Sequence, residues 1–234
     1  MPLTLDFDTA SLDELLGCLT HEQFLVRADA ACALGDRLRT RELVTLDEPL
    51  RMRLRRLLDD REVLPRVEAA ITLAELQDPE ATPILLAAAR SRTFRLDAVR
   101  ALGRGGDSRA IPFLLKLLNG FMKPWADRMQ AAGSLCALGN ADGRAYLQEK
   151  LRSRKSAERA AAIHFLAESR HPEALSLLST ILANALDPHR DVAARALGLL
   201  GNPAGKDALL AARAAADADL LSDIEASLAA LQPK

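Results

Sequence analysis

Apolar residues recur along this chain at helical spacing, in short blocks set apart by turn formers. Ile84–Ala89, Ile111–Leu118, Tyr146–Leu151, Leu175–Leu182 and Leu209–Ala212 carry them three and four residues apart. No β-branched run alternates with period two, so the pattern predicts an essentially all-helical protein. A second element follows each block. RADAACALG begins at Arg27, RVEAAITLA at Arg66, RLDAVRALG at Arg95, RMQAAGSLC at Arg128, RAAAIHFLA at Arg159 and RDVAARALG at Arg190. A degenerate copy, LSDIEASLA, puts Leu221 in place of the arginine. The starts are 39, 29, 33, 31, 31 and 31 residues apart; the fourth residue is Ala in six copies, the eighth is Leu in all seven, and the ninth is Gly, Ala or Cys. A unit is therefore helix A, turn, helix B, turn. One such pair cannot bury its apolar face alone, whereas stacked neighbours can.

The Arg-x-x-Ala-x-x-x-Leu-Gly series, with Pro83 in ATPILLAAA and Pro112 in AIPFLLKLL, resembles HEAT repeats, in particular the short bacterial HEAT-like repeats of the phycobilisome-lyase type. The resemblance covers residues 11–231. The expected fold is all-α, a right-handed α-α superhelix (HEAT-like solenoid) of about seven helix pairs. One domain is expected over 1–234, with B helices starting near 27, 66, 95, 128, 159, 190 and 221. The resemblance also implies that the B helices line the concave face.

On a helical wheel the fourth, fifth and eighth positions of helix B face the core, and the arginine points to its rim. Its guanidinium is expected to tie backbone carbonyls or an Asp in an A–B turn, with Asp60 and Asp187 as candidates. The third, sixth, seventh and tenth positions fall on the opposite, groove side. There the third position runs Asp29, Glu68, Asp97, Gln130, Ala161, Val192, and the sixth includes Arg100 and His164. The groove is acidic at its N-terminal end, which fits a partner segment with basic residues. Trp125, the only tryptophan, stands at the start of a B helix; it is expected to pack over the inter-repeat core, and as an exposed aromatic it would be a binding anchor. Asp29, Glu68, Asp97, Arg100, Gln130, His164 and Trp125 are the candidate partner-binding residues.

Composition supports this picture. Hydrophobic residues make up 49% of the chain but aromatics only 3%, so the apolar content is Ala and Leu, both helix formers. The formal charge of −1 argues against a general nucleic-acid binder. The N-terminus is acidic, unlike a signal peptide, and no apolar run reaches the length of a membrane span. Three cysteines without a CxxC spacing provide no disulfide framework or zinc ribbon. A soluble, cytoplasmic monomer without cofactor or metal is expected.

Catalytic constellations are not evident. Arg51, Arg53, Arg55 and Arg56 crowd one amphipathic helix, where Arg55 and Asp59 are spaced to pair; a phosphate or nucleic-acid patch is the alternative there. His21-Glu22 is a single His-Glu pair, whereas the HEAT-like iron enzyme deoxyhypusine hydroxylase needs several. The glycines of ALGRGGDSRA, Ala101–Ala110, suggest a phosphate loop, but no strand precedes them. In register, Gly103 is a small ninth residue, Gly105 or Gly106 ends helix B, and Asp107 or Ser108 caps the next helix. The expected function is a non-catalytic scaffold that binds a partner protein. The alternatives are a groove for nucleic acid, as in HEAT-like DNA glycosylases, or for a bilin-type ligand, as in lyase subunits.

Overall fold

A computed structural model describes residues 6–232 except 41, 44 and 122. Met122, three residues before Trp125, lies outside the described residues. Fourteen α-helices and one 3-10 turn account for the regular structure of the described residues, with no strand among them. The chain divides into two compact units, Met1–Phe113 and Leu114–Lys234.

In the first unit the A helices are α1 (Leu12–Cys18), α3 (Glu48–Leu57) and α5 (Ala81–Ala88). The B helices are α2 (Phe24–Arg39), α4 (Val63–Glu75) and α6 (Arg95–Arg104). Helix α7 (Ile111–Asn119) starts at the end of this unit. The second unit contains the B helices α8 (Trp125–Ala137), α10 (Ser156–Glu168), α12 (Arg190–Leu200) and α14 (Ala218–Ala230). Their A helices are α9 (Ala141–Leu151), α11 (Ala174–Ala183) and α13 (Gly205–Arg213). The B helices begin at the repeat arginine or three residues before it, as the register predicts.

The core is the Ala/Leu ladder of the repeats. The eighth-position residues Leu34, Leu73, Leu102, Leu135, Leu166 and Leu197 are all at 1% exposure or less. Small ninth residues let the next B helix approach. A Cβ on Gly35 would meet Thr72 Oγ1 at 2.6 Å, and one on Gly198 would meet Ser227 Cβ at 2.9 Å. The wheel is corrected at the seventh position. Thr72, Ala101, Ser134 and Ala196 are buried rather than on the groove, because neighbouring B helices touch along that row. Thr72 shows how: its hydroxyl donates to the Ala31 carbonyl of α2 at 2.7 Å.

Five turns of each kind close by one device. A side-chain acceptor takes the backbone N–H two residues on, an Asx-type turn. Between B and A it is Asp78, Asp107, Asn140, His171 and Asn202, the thirteenth residue of successive repeats. Between A and B it is His21, Asp60, Ser91, Ser153 and Asp187. The residue before the first group is left-handed in every case: Gln77 (φ 55°), Gly106 (69°), Gly139 (72°), Arg170 (50°) and Gly201 (65°). ALGRGGDSRA is therefore a helix join, as its register implies: Gly106 turns the chain and Asp107 caps the 3-10 turn Ser108–Ala110 that leads into α7.

The repeat arginines are clasps. Arg27 donates to the carbonyls of His21 and Glu22, Arg66 to those of Asp60 and Arg61, and Arg95 to Ala89. Arg128, Arg159 and Arg190 donate to the carbonyls of Leu118, Leu151 and Leu182. Each thus satisfies a carbonyl at or just beyond the end of the preceding A helix, where such groups lack helical partners. Three also reach the next repeat, Arg190 through a long bond of 3.5 Å to the Ala215 carbonyl. Arg27 grips the Asp60 carboxylate with two nitrogens, at 2.6 and 2.8 Å, and Arg159 grips Asp187. The Arg27 guanidinium holds the Asp60 carboxyl below its ordinary range. Burial alone would raise Asp187, but the bonds from Arg159 and the His189 N–H outweigh it. The expected Arg55–Asp59 pair is replaced: Arg55 binds Asp78 at 2.8 Å and Glu48 at 2.6 Å. Asp78 is buried with its side chain at 0% exposure, and a buried carboxylate gains more from a guanidinium than a solvated neighbour does.

Candidate functional site

With most of the seventh position buried, the outward surface of the B helices is chiefly the third, sixth and tenth rows. On the first unit these rows come from α2, α4 and α6. The third row is Asp29, Glu68 and Asp97, with Asp29 and Asp97 exposed and Glu68 half-buried. The sixth row is Cys32, Ile71 and Arg100, and the tenth is Asp36, Glu75 and Arg104. Glu68, Asp97 and Arg100 line one cleft of about 240 Å³, together with Cys32, Arg39, Ile71 and Glu75. Asp29 lies one turn before Cys32 on the same helix face.

The charges of this cleft are unevenly compensated. Arg104 pairs with Glu75 at 2.6 Å, and Arg39 reaches the same carboxylate at 3.8 Å. Arg39 also bonds Asp36, and Arg100 bonds Asp97. Glu68 has no ion pair among the described residues. Burial pushes its carboxyl above the ordinary range, and the Asp97 charge adds to this. Burial likewise pushes the Cys32 thiol up to about 12, with Glu68 and Asp36 contributing. The thiol is thus neutral near pH 7 and is no nucleophile. At Glu68 a hydrogen bond with Cys32 and the charge of Arg39 offset only part of the upward push, so a further positive group brought into the cleft would relieve the rest.

Gln130, Trp125 and His164 belong to the second unit. Gln130 is buried at 9% exposure, which corrects its placement on the groove. Helix α8 packs against α9 and α10 and buries every residue from Met129 to Cys136. His164 is exposed, 3.7 Å from Glu168, with its ring edge-on to Phe165. Trp125 opens α8 as expected, but it is 52% exposed and does not cover the core. Phe121, four residues earlier, is 93% exposed.

The fold also assembles a Ser-His-Asp group that sequence spacing does not suggest. His189, 6% exposed, lies with Nε2 3.0 Å from Ser156 Oγ and Nδ1 3.1 Å from Arg159 Nη1. Arginine only donates, so Nδ1 accepts and the neutral ring carries its proton on Nε2. That nitrogen donates to Ser156, and a ring donating to a serine cannot take the serine's proton. The Asp187 carboxylate is 3.8 Å from Nδ1, beyond hydrogen-bond reach. The trio therefore pins the α11–α12 turn to the start of α10. His21 and His171 are occupied as turn acceptors. Among the described residues no group of three His, Cys, Asp or Glu side chains is placed to hold a metal ion. No helix of the described residues is long and apolar enough to cross a membrane.

Residues 48–120 match the family of HEAT repeats. No curated protein matches the chain. Among solved structures, a chain of the complex of CpcE and CpcF of phycocyanin lyase from Nostoc sp. PCC7120 is similar at 20% identity, with 95% of each chain covered and a TM-score of 0.54. Human deoxyhypusine hydroxylase in complex with glycerol matches at 19% identity over 94% of this chain and 95% of that one, with a TM-score of 0.40. The matched repeats, the all-helical architecture and the phycocyanin-lyase likeness agree on the fold: residues 48–120 carry HEAT repeats, and the chain is built of HEAT-like helix pairs.

Proposed function

We propose that this helical repeat scaffold is non-catalytic and binds a partner protein through the B-helix face of its first unit, taking up a basic segment. The observation that supports this most is Glu68: a half-buried carboxylate in a 240 Å³ cleft, without an ion pair among the described residues and only partly offset by the charge of Arg39, between two further carboxylates of the same row. A cationic side chain entering the cleft would offset a charge the fold has already partly desolvated, so complementarity sets orientation and association rate. The chemistry lining the cleft favours binding over catalysis, since its thiol is held protonated and its arginines are paired with carboxylates. The similar phycocyanin-lyase chain is itself part of a two-protein complex, which agrees with a protein partner. In this reading the chain works as a cytoplasmic monomer without cofactor.

The test is capture from extracts of the native host with the wild-type chain and with Asp29→Lys/Glu68→Lys/Asp97→Lys, followed by mass spectrometry. A protein held by the wild type and lost by the triple variant is the expected result. Equal retention of the same proteins by both chains overturns the proposal. Recovery of nucleic acid or a coloured ligand in place of a protein does so as well.

A further inference from the structure

We propose that the element received by the first unit is an extended, polyproline-II-like segment with a basic side chain at every third residue, lying across α2, α4 and α6. The inference rests on the reading of this face as a docking surface for a basic partner and adds the conformation and spacing of what docks. The carboxylates come one per helix, at the same repeat position, so their spacing is the spacing of the B helices. That spacing is tight. The Thr72 hydroxyl bonds the Ala31 carbonyl across α2 and α4 at 2.7 Å, and the Ala74 Cβ on α4 is 3.6 Å from where a Cβ on Gly105, just past α6, would stand. Helices in such contact have axes roughly 8–10 Å apart.

Regular backbones differ in whether they match that step on one face. A polyproline-II segment turns once in three residues and rises about 3.1 Å per residue, so every third side chain points the same way at about 9 Å. A β-strand puts residues three apart on opposite faces, and those two or four apart at roughly 7 and 13 Å. An α-helix returns to the same face after seven residues, at about 10.5 Å, just beyond the range. The intervening residues also have somewhere to go. Leu25 in the first turn of α2, Val63 of α4 and Leu96 of α6 are 53, 49 and 48% exposed. They are exposed apolar groups in the first turns of the same three helices, available to proline rings or aliphatic side chains. The central cation enters the cleft, with its stem on Ile71 and its charge on Glu68. The outer two meet Asp29 and Asp97. Asp97 is held only by Arg100, an exposed i,i+3 pair of the kind worth a few tenths of a kcal/mol, so it can exchange partners.

Fluorescein-labelled peptides test this by anisotropy at fixed ionic strength. One has three Arg-Pro-Pro units. A second has the same composition with the arginines contiguous. A third is an alanine-based helix with three arginines seven apart. The Arg-Pro-Pro peptide is expected to bind at least tenfold tighter than either control, and to lose that advantage on Asp29→Asn/Glu68→Gln/Asp97→Asn. These substitutions remove charge at the surface and relieve the desolvated Glu68, so the variant folds. Equal binding of all three peptides, tighter binding of the helical one, or no binding by any of them overturns the inference. If the capture experiment still loses its partner on charge reversal, the docking surface stands and only the spacing fails.

Discussion

Replacing Gly35 with alanine puts a methyl group where α2 and α4 come closest. In an isolated helix the change stabilises by about 0.8–1 kcal/mol. Here the new Cβ would lie 2.6 Å from Thr72 Oγ1, although Thr72 Cβ and Cα, at 3.5 and 3.6 Å, leave ordinary room. The strain therefore falls on the hydroxyl. Thr72 is fully buried and donates to the Ala31 carbonyl. Turning it away costs roughly 1–3 kcal/mol for a buried hydroxyl left unpaired, and overpacking without rotation costs about the same. Gly35→Ala should thus destabilise by about 1–2 kcal/mol after the propensity gain. Thr72→Ala alone loses a hydrogen bond and a buried methyl group, about 2 kcal/mol. In the double variant the methyl group introduced on α2 occupies the vacated space and the helix gain is realised in full. The double variant should therefore be no less stable than Thr72→Ala alone, a coupling of about 2–3 kcal/mol where independent sites would be additive. Urea unfolding followed by far-UV circular dichroism, with m unchanged across the cycle, measures this. Additivity within about 0.5 kcal/mol would refute the claim that the small ninth residue sets the helix spacing.

The clasps predict an order of costs. Arg159→Met leaves the nearly buried Asp187 carboxylate without its counter-ion and should destabilise by about 3 kcal/mol, whereas Arg128→Met, whose bond goes to the Leu118 carbonyl, should cost about half as much; equal losses in denaturant titrations would contradict the assignment. The left-handed twelfth position makes a reciprocal pair. Gly139→Ala meets no atom within 4 Å, so its cost of about 1 kcal/mol is conformational alone, and Gln77→Gly should gain a similar amount; thermal melts in which both are neutral would remove the strain argument. Arg109, first through its hydrogen bond, holds the Asp107 carboxyl at about 2, below its ordinary 3.8. A depressed folded value means stability that is present above 3.8 and lost as pH falls from there toward 2. Arg109 is 57% exposed, so solvent screening reduces the contribution to about 1 kcal/mol. Asp107→Asn should flatten the acid limb of the stability profile in that window, and an unchanged limb would place the effect elsewhere.

The repeat was legible because it is written in residue identity at a fixed period. Arg27, Arg66, Arg95, Arg128, Arg159 and Arg190 announce the B helices, and the structure gives each the carbonyl partner that a charge at the core rim requires. The left-handed column was half visible. Gly106, Gly139 and Gly201 keep the period, but Gln77 and Arg170 occupy the same conformation with side chains that do not advertise it. The thirteenth column hides its unity in the same way, because His171 does the work of Asp and Asn. The helical wheel erred for a different reason. It assumes one buried face, as on a helix lying over a core, whereas a B helix inside a stack is covered by its own A helix and by B helices on its flanks. That extra cover removes Thr72, Ala101 and Gln130 from the surface.

The same geometry explains what sequence could and could not say about the candidate site. Asp29, Glu68 and Asp97 are 39 and 29 residues apart, and only the stacking of α2, α4 and α6 turns them into neighbours; the period is sufficient to infer that row. It does not reveal that Glu68 differs from the other two. Glu68 is the middle member, on the helix flanked on both sides, and shares its cleft with Cys32 and Ile71. Asp29 and Asp97 are exposed and remain solvated. Desolvation without a paired counter-ion is a property of position in the stack rather than of residue type. It is also what distinguishes a surface waiting for a cation from a merely acidic one, so Glu68→Gln should weaken docking of the basic segment more than Asp29→Asn, although each removes one charge from the same row. Equal losses in the anisotropy assay would reduce the cleft to its net charge.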